Sequence, residues 1–246
     1  MSGVKPFVSV IIPVFNDAER LRICLTALEQ QTYPRSSYEV IVVDNGSNKG
    51  QNISDLVAQF GQAKAAYESI IGSYAARNKG ISLATGDVLA FTDADCIPAL
   101  NWLENGVKTL LEQPDCGLVA GEVAIFFKDS TRPRVVELYE QVYAFPQKAF
   151  IEKHKFGVTA NIFTFRVVMN HAGLFNASLK SGGDVDLGQR VLSLGYPQIY
   201  ADNVCVAHPA LYSWQQLYKK HLRIAGGLFD LQQKKYASNF AYYTKL

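Results

Sequence analysis

The chain has 246 residues, enough for one large α/β domain with or without a helical extension, and its 48% hydrophobic, 19% charged composition excludes a disordered chain or a coiled coil. A formal net charge of +2 gives no global attraction to nucleic acid, so any anion site has to be local. Cys24, Cys96, Cys116 and Cys205 lack metal-type spacing and read as buried thiols, and with no signal segment and no run of about 18 apolar residues the chain reads as cytoplasmic.

Taken in order, residues 7–12 form an apolar, β-branched strand, and Asp17 then caps a helix whose Leu21, Cys24, Leu25 and Leu28 share one face. A second strand, 38–43, ends at Asp44-Asn45-Gly46-Ser47, and Ile53, Leu56, Val57 and Phe60 supply the apolar side of the next helix. A weaker strand near 65–68 precedes a helix over 73–84 that carries Arg77, Asn78 and Lys79. Strands alternating with helices predict a mostly parallel, doubly wound sheet, an α/β fold.

The next strand, bounded by Gly86, stops at Asp93-Ala94-Asp95-Cys96. In an open α/β sheet the carboxyl ends of the strands face the ligand crevice, so two carboxylates there suit Mg²⁺ or Mn²⁺ holding a diphosphate. The competing reading is a solvated turn in which one Asp caps a helix beginning near Pro98. That helix places Leu103, Val107, Leu110 and Leu111 together, and 117–127 follows as a long strand.

From Lys128 the alternation breaks. Tyr139, Tyr143, Phe145 and Phe150 fall in a helix and loop and either stack on an acceptor or fill core. A strand over 157–165 and a short helix over 167–171 lead to the turn Ser181-Gly182-Gly183-Asp184-Val185-Asp186, which opens a helix with Leu187, Val191 and Leu194 inward. A short strand, 204–207, ends at His208-Pro209. From Ser213 a broad apolar stripe that includes Trp214, Leu217, Tyr218, Leu222, Leu228 and Phe229 is flanked by Lys219, Lys220, Arg223, Lys234 and Lys235. This last helix either packs on the sheet while its lysines snorkel or docks on an anionic membrane surface. We divide the chain into a nucleotide-sugar-binding half, 1–127, an acceptor-binding and catalytic half, 128–212, and a helical extension, 213–246.

No phosphate-binding glycine loop follows the first strand and no GxSxG elbow is present. What remains is a set of acids at strand ends and turns, which near a phosphate need an intervening cation or neutral ligand groups such as ribose hydroxyls. Five segments in register, Val10-Ile11-Ile12-Pro13-Val14-Phe15-Asn16-Asp17, Val42-Val43-Asp44-Asn45-Gly46-Ser47, Ala76-Arg77-Asn78-Lys79-Gly80, Phe91-Thr92-Asp93-Ala94-Asp95 and Gly182-Gly183-Asp184-Val185-Asp186-Leu187, resemble the motifs of the family 2 inverting glycosyltransferases of GT-A fold.

The resemblance implies a metal-dependent enzyme that moves one sugar from a nucleotide-sugar donor, a UDP-sugar first, to a hydroxyl of a cell-surface glycan or lipid-linked acceptor. Pro13, Val14, Phe15, Asp17, Asp44, Arg77, Asp93 and Ala94 are implied to bind the donor, Asp95 and His208 the metal, and Asn161, Gly183 and Asp186 the acceptor. Asp184 is implied as the general base, though a capping role for it, or Asp186 as base or cap, remains open. A His before Pro also serves as a plain turn residue. The chain departs from the family where Glu-Asp is replaced by Gly183-Asp184, and it lacks the Gln-x-x-Arg-Trp motif of processive synthases. The alternatives are a sugar-1-phosphate nucleotidyltransferase and a catalytically silent nucleotide-sugar-binding module. The place of action implied is the cytoplasm, on the inner face of the membrane when docked.

Overall fold

In the computed structural model of the chain, residues 5–113 and 115–243 are described, with side chains to residue 233, so Lys234 and Lys235 lie outside the described side chains. The elements run β1 (Val8–Val14), α1 (Ala18–Glu29), β2 (Tyr38–Asp44), α2 (Ile53–Val57), β3 (Ala63–Tyr67), α3 (Ser73–Leu83), β4 (Val88–Thr92), β5 (Ile97–Pro98) and α4 (Trp102–Glu112). They continue as β6 (Leu118–Phe126), α5 (Val135–Tyr143), α6 (Gln147–Ala149), a π-helical turn (Phe150–His154), β7 (Asn161–Phe165), α7 (Arg166–Ala172), α8 (Gly183–Ser193), β8 (Gln198–Pro209) and α9 (Trp214–Tyr243).

Among the described residues, eight strands form one sheet in the order β3-β2-β1-β4-β7-β6-β8-β5. Strands β3, β2, β1 and β4 are mutually parallel, with Val14 level with Asp44 at their carboxyl ends. Strand β7 then enters antiparallel to both β4 and β6, so the sheet is mixed. Alternation along the central strands sends side chains to two cores. Val8, Val10 and Ile12 of β1 and Val88 and Ala90 of β4 meet α1 and α4 on one face. Ile11, Leu89 and Phe91 meet α3, α7 and α8 on the other. Burial of strand β4 on both sides explains its unbroken apolar run.

Close packing ties the two halves. A Cβ on Gly106 of α4 would lie 2.4 Å from the Phe163 ring of β7, so only glycine lets this helix approach. Beside it Trp102 is wholly buried and donates its indole N–H to Asn161. Burying a side chain of that size contributes about 1.5–3 kcal/mol.

Several expectations are corrected. Pro98 belongs to β5, which pairs with β8, and the helix starts at Trp102. Leu111 and Leu194 are exposed, because each falls at a helix end beyond the packed face. Asp17 stands at the N-cap position of α1 without a side-chain capping bond and pairs instead with Arg20. The strand expected over 204–207 spans Gln198–Pro209, with a bulge opposite Gly121/Glu122.

Candidate active site

The carboxyl ends of β1 and β4, the start of α3, the turn before α8, the end of β8 and the inner face of α9 enclose a cavity of about 900 Å³. Pro13, Val14, Phe15, Asp17, Arg77, Asp93, Ala94, Asp95, Asp184 and His208 all line it. These residues span most of the chain, and parallel β1 and β4 bring the first of them together because both strands end at the same edge of the sheet.

Charge in the cavity is balanced locally. Arg77 is 4% exposed and forms a close ion pair with Asp93. Arg20 pairs with Asp17 at 2.8 Å and reaches Asp95 at 3.7 Å. Burial pushes the Asp95 carboxyl above its ordinary range, with the neighbouring His208 opposing and Asp93 reinforcing the shift.

His208 Nδ1 lies 2.8 Å from the Pro209 carbonyl oxygen, which can only accept, so Nδ1 carries the proton. Its Nε2 faces Asp95 Oδ2 across 3.5 Å. A carboxylate and an imidazole nitrogen at that distance share a proton or a cation, and a His held through its other nitrogen by a carbonyl is how metal-ligating histidines are oriented. Asp95, His208 and Cys96 have ligand atoms within 4.8 Å of one another. The carboxylate and imidazole fit Mn²⁺ or Mg²⁺; the Cys96 thiol is wholly buried and burial holds it protonated.

Asp184 sits in the first turn of α8 and does not cap it. Burial raises its pKa, opposed by the Arg77 charge and by hydrogen bonds from the Thr159 hydroxyl and backbone. Its Oδ1 is buried with no hydrogen-bond partner. Asp184 lines the cavity, and a proton-avid carboxylate there is suited to take a proton from a bound hydroxyl.

Four expected residues stand elsewhere. Asn161 is fully buried, accepting from Trp102 and donating to the carbonyls of Glu122 and Val204, so it ties strands together and leaves nothing for an acceptor. Asp186 is paired with Arg190, which in turn binds the carbonyls of Ala172, Gly173 and Leu174. Gly183 faces the Tyr74 ring and does not line the cavity. Asp44 accepts the Ser47 N–H at 2.9 Å and closes a turn at the rim; its neighbour Asn45 lines the cavity instead. Sequence reasoning missed Tyr74, Thr159 and Asn45. Tyr74 had a signal, since it lies three residues before Arg77 on one helix face; Thr159 had none.

Residues 9–173 match the family described as "Glycosyl transferase family 2". The chain is 40% identical over 232 residues to the glycosyltransferase AglE of Haloferax volcanii, covering 92% of this chain and 74% of that one. It is 29% identical over 206 residues to the pre-mycofactocin glycosyltransferase of Mycobacterium tuberculosis, covering 82% of this chain and 42% of the relative. Its fold superposes on the mannosyltransferase PcManGT from Pyrobaculum calidifontis, a structure in complex with GDP-Man and Mn²⁺, with a TM-score of 0.67 at 25% identity, covering 86% of this chain and 59% of that one. TarS of S. aureus shares the fold at a TM-score of 0.61 and 16% identity. A mixed sheet with an acidic cavity at the carboxyl ends of its parallel strands, matched over most of its length to these proteins, makes the chain a member of glycosyl transferase family 2 with a GT-A fold.

Proposed function

We propose that the chain is a metal-dependent inverting glycosyltransferase that moves a single sugar from a nucleotide-sugar donor, a UDP-sugar first, to a hydroxyl of a cell-surface glycan or lipid-linked saccharide. The observation that carries the reading is that Asp184 lines the same cavity as the Asp95–His208 pair and keeps a buried Oδ1 without a hydrogen-bond partner. Pro13, Val14, Phe15 and Asp17 hold the nucleotide, with the free carboxylate oxygen of Asp44 offered to the base at the rim, while Arg77 and Asp93 lie alongside the diphosphate. Asp95 and His208 would hold Mn²⁺ or Mg²⁺, which would supply positive charge to the departing nucleotide diphosphate. Asp184 takes the proton from the acceptor hydroxyl as its oxygen bonds to the anomeric carbon, and one displacement inverts that centre. Residues 1–127 serve the donor and 128–212 the acceptor. Asp184→Asn is expected to abolish nucleotide release from the productive donor while Mn²⁺-dependent binding of the nucleoside diphosphate stays within about twofold. Equal turnover in the variant would remove Asp184 as base, and a wild type that binds nucleotide without ever turning over would make the chain a silent binding module.

The acceptor side has a membrane reading. Among the described residues no helix is long and apolar enough to cross a bilayer. Helix α9 packs on the domain through Leu217 and the Lys220–Glu140 ion pair, yet Trp214, Tyr218, Leu222 and Phe229, spaced for one helix face, are each at least 60% exposed. Leu138, Val142 and Tyr143 of the adjoining α5 are exposed as well, and the two helices meet where Tyr139 contacts His221. With Lys219 and Arg223 beside it, this face suits an anionic bilayer. Trp214 is its reporter, since the other tryptophan, Trp102, is wholly buried. Phosphatidylglycerol vesicles are expected to blue-shift its emission; no shift would leave the transferase reading standing and remove the membrane contact.

A further inference from the structure

We infer that Tyr74 is the positioning residue for Asp184, bracing the turn that carries it from a neighbouring helix and filling the space that a side chain at 183 would need. The inference rests on the role proposed for Asp184.

The first N–H groups of a helix have no partner within it and usually find one in a local side chain. Helix α8 has Gly182 at its N-cap, at φ +82°, and no side-chain capping bond. Its first turn abuts α3 instead: the tip of the Tyr74 ring lies against Gly183, and burial raises the phenol's pKa while the backbone of Gly183 and Asp184 opposes that rise. The contact leaves no room for a side chain at 183. A Cβ there would lie 2.6 Å from Tyr74 Cζ and within 2.8 Å of both adjoining ring carbons.

The ring cannot move aside. Tyr74 is 5% exposed and stacks on Phe175 at 5.7 Å, which packs edge-on against Phe91 of β4 at 5.5 Å. One turn along α3, Arg77 sits over the same ring and lends its charge to Asp184. Tyr74 and Arg77 thus address one residue from a single helix face, the phenol through the backbone and the guanidinium through the carboxylate. Gly183 and Tyr74 therefore form one unit: glycine at 183 leaves room for the ring that braces the turn carrying Asp184.

The test uses the full chain with Mn²⁺ and a panel of UDP- and GDP-sugars, reading nucleotide release with water as acceptor, plus calorimetric binding of Mn²⁺–UDP and Mn²⁺–GDP. Tyr74→Phe keeps the ring and removes the oxygen; it is expected to lower kcat about tenfold, leave the donor KM and nucleotide binding unchanged, and move the acid limb of the rate profile to higher pH. Gly183→Glu alone is expected to lose activity, and Tyr74→Ala/Gly183→Glu to recover at least about tenfold over it. A Tyr74→Phe enzyme with wild-type kcat and pH profile, or a double variant no better than Gly183→Glu, would overturn the inference. The coupling between 74 and 183 is also read in the melting temperatures of the four proteins, so a wild type that releases no nucleotide would remove the transferase reading while the pairing was still judged.

Discussion

The four parallel strands β3, β2, β1 and β4 and the later half of the sheet contribute to the same cavity in different ways. In the parallel part each strand ends at one edge, so Val14, Asp44 and Thr92 reach that edge simply by closing their strands. In the later part β7 is threaded antiparallel between β4 and β6, and the site residues Thr159, Asp184 and His208 arrive from a loop, a helix start and a strand end. A position in the first part is set by period and turn; a position in the second is set by what packs against it. The Asp44–Ser47 turn is local, whereas the turn that carries Asp184 packs against Tyr74 from a different helix.

The contrast can be broken most forcefully at Asp184. Asp184→Asn should lower turnover by about 10²–10⁴-fold, the usual contribution of a general base. Because burial raises the Asp184 pKa, the wild-type rate should rise with pH through a value above the ordinary carboxylate range. A raised folded-state pKa means that the native carboxylate is disfavoured as pH rises through it, so the Asn variant should also melt higher than wild type at pH 7.

Next in size is the Lys220–Glu140 pair, at 3.0 Å with Glu140 1% exposed, which fastens α9 to α5. Lys220→Met leaves a buried carboxylate alone and should cost about 3 kcal/mol in urea unfolding, with Glu140→Gln added to it restoring much of the loss. Gly106→Ala, which forces a Cβ into the Phe163 ring, should cost about 1–3 kcal/mol, while Gly61→Ala in the parallel half, with nothing within 4 Å, should change stability by less than about 0.5 kcal/mol.

A smaller effect is expected at Glu39 of β2, beside Ser9 of β1. Burial alone would push its carboxyl up, but hydrogen bonds from Lys64, Thr85 and Ser9 hold it at about 2. Its stabilisation is full above the unfolded carboxylate pKa and is lost as pH falls toward 2. Glu39→Gln should therefore cost about 1 kcal/mol at pH 7 and nothing near pH 2, as read by melting curves across that range.

The parallel half was legible because alternation, Asp-bearing strand ends and helical period are local signals. Strand β4, with apolar residues on both faces up to Asp93-Ala94-Asp95, announced a buried central strand and its charged tip. The later half of the sheet was less so. Asn161 looks like a polar residue awaiting a ligand, but its hydrogen bonds are consumed by Trp102, Glu122 and Val204, partners 39 to 59 positions away in the chain. Asp186, two residues from Asp184 in the same turn, faces Arg190, so spacing could not separate the base from the tether.

From residue order alone came the alternating elements, the acid-tipped strands, the glycine turn and the resemblance to a family, all features that depend on neighbours within about one helical turn or two strand positions. The tertiary structure alone decided that β7 runs antiparallel, that His208 turns Nε2 toward Asp95, and that Tyr74 meets Gly183. Each of these depends on which distant surface fills the space beside a side chain, and close packing settles that only when the whole chain has folded.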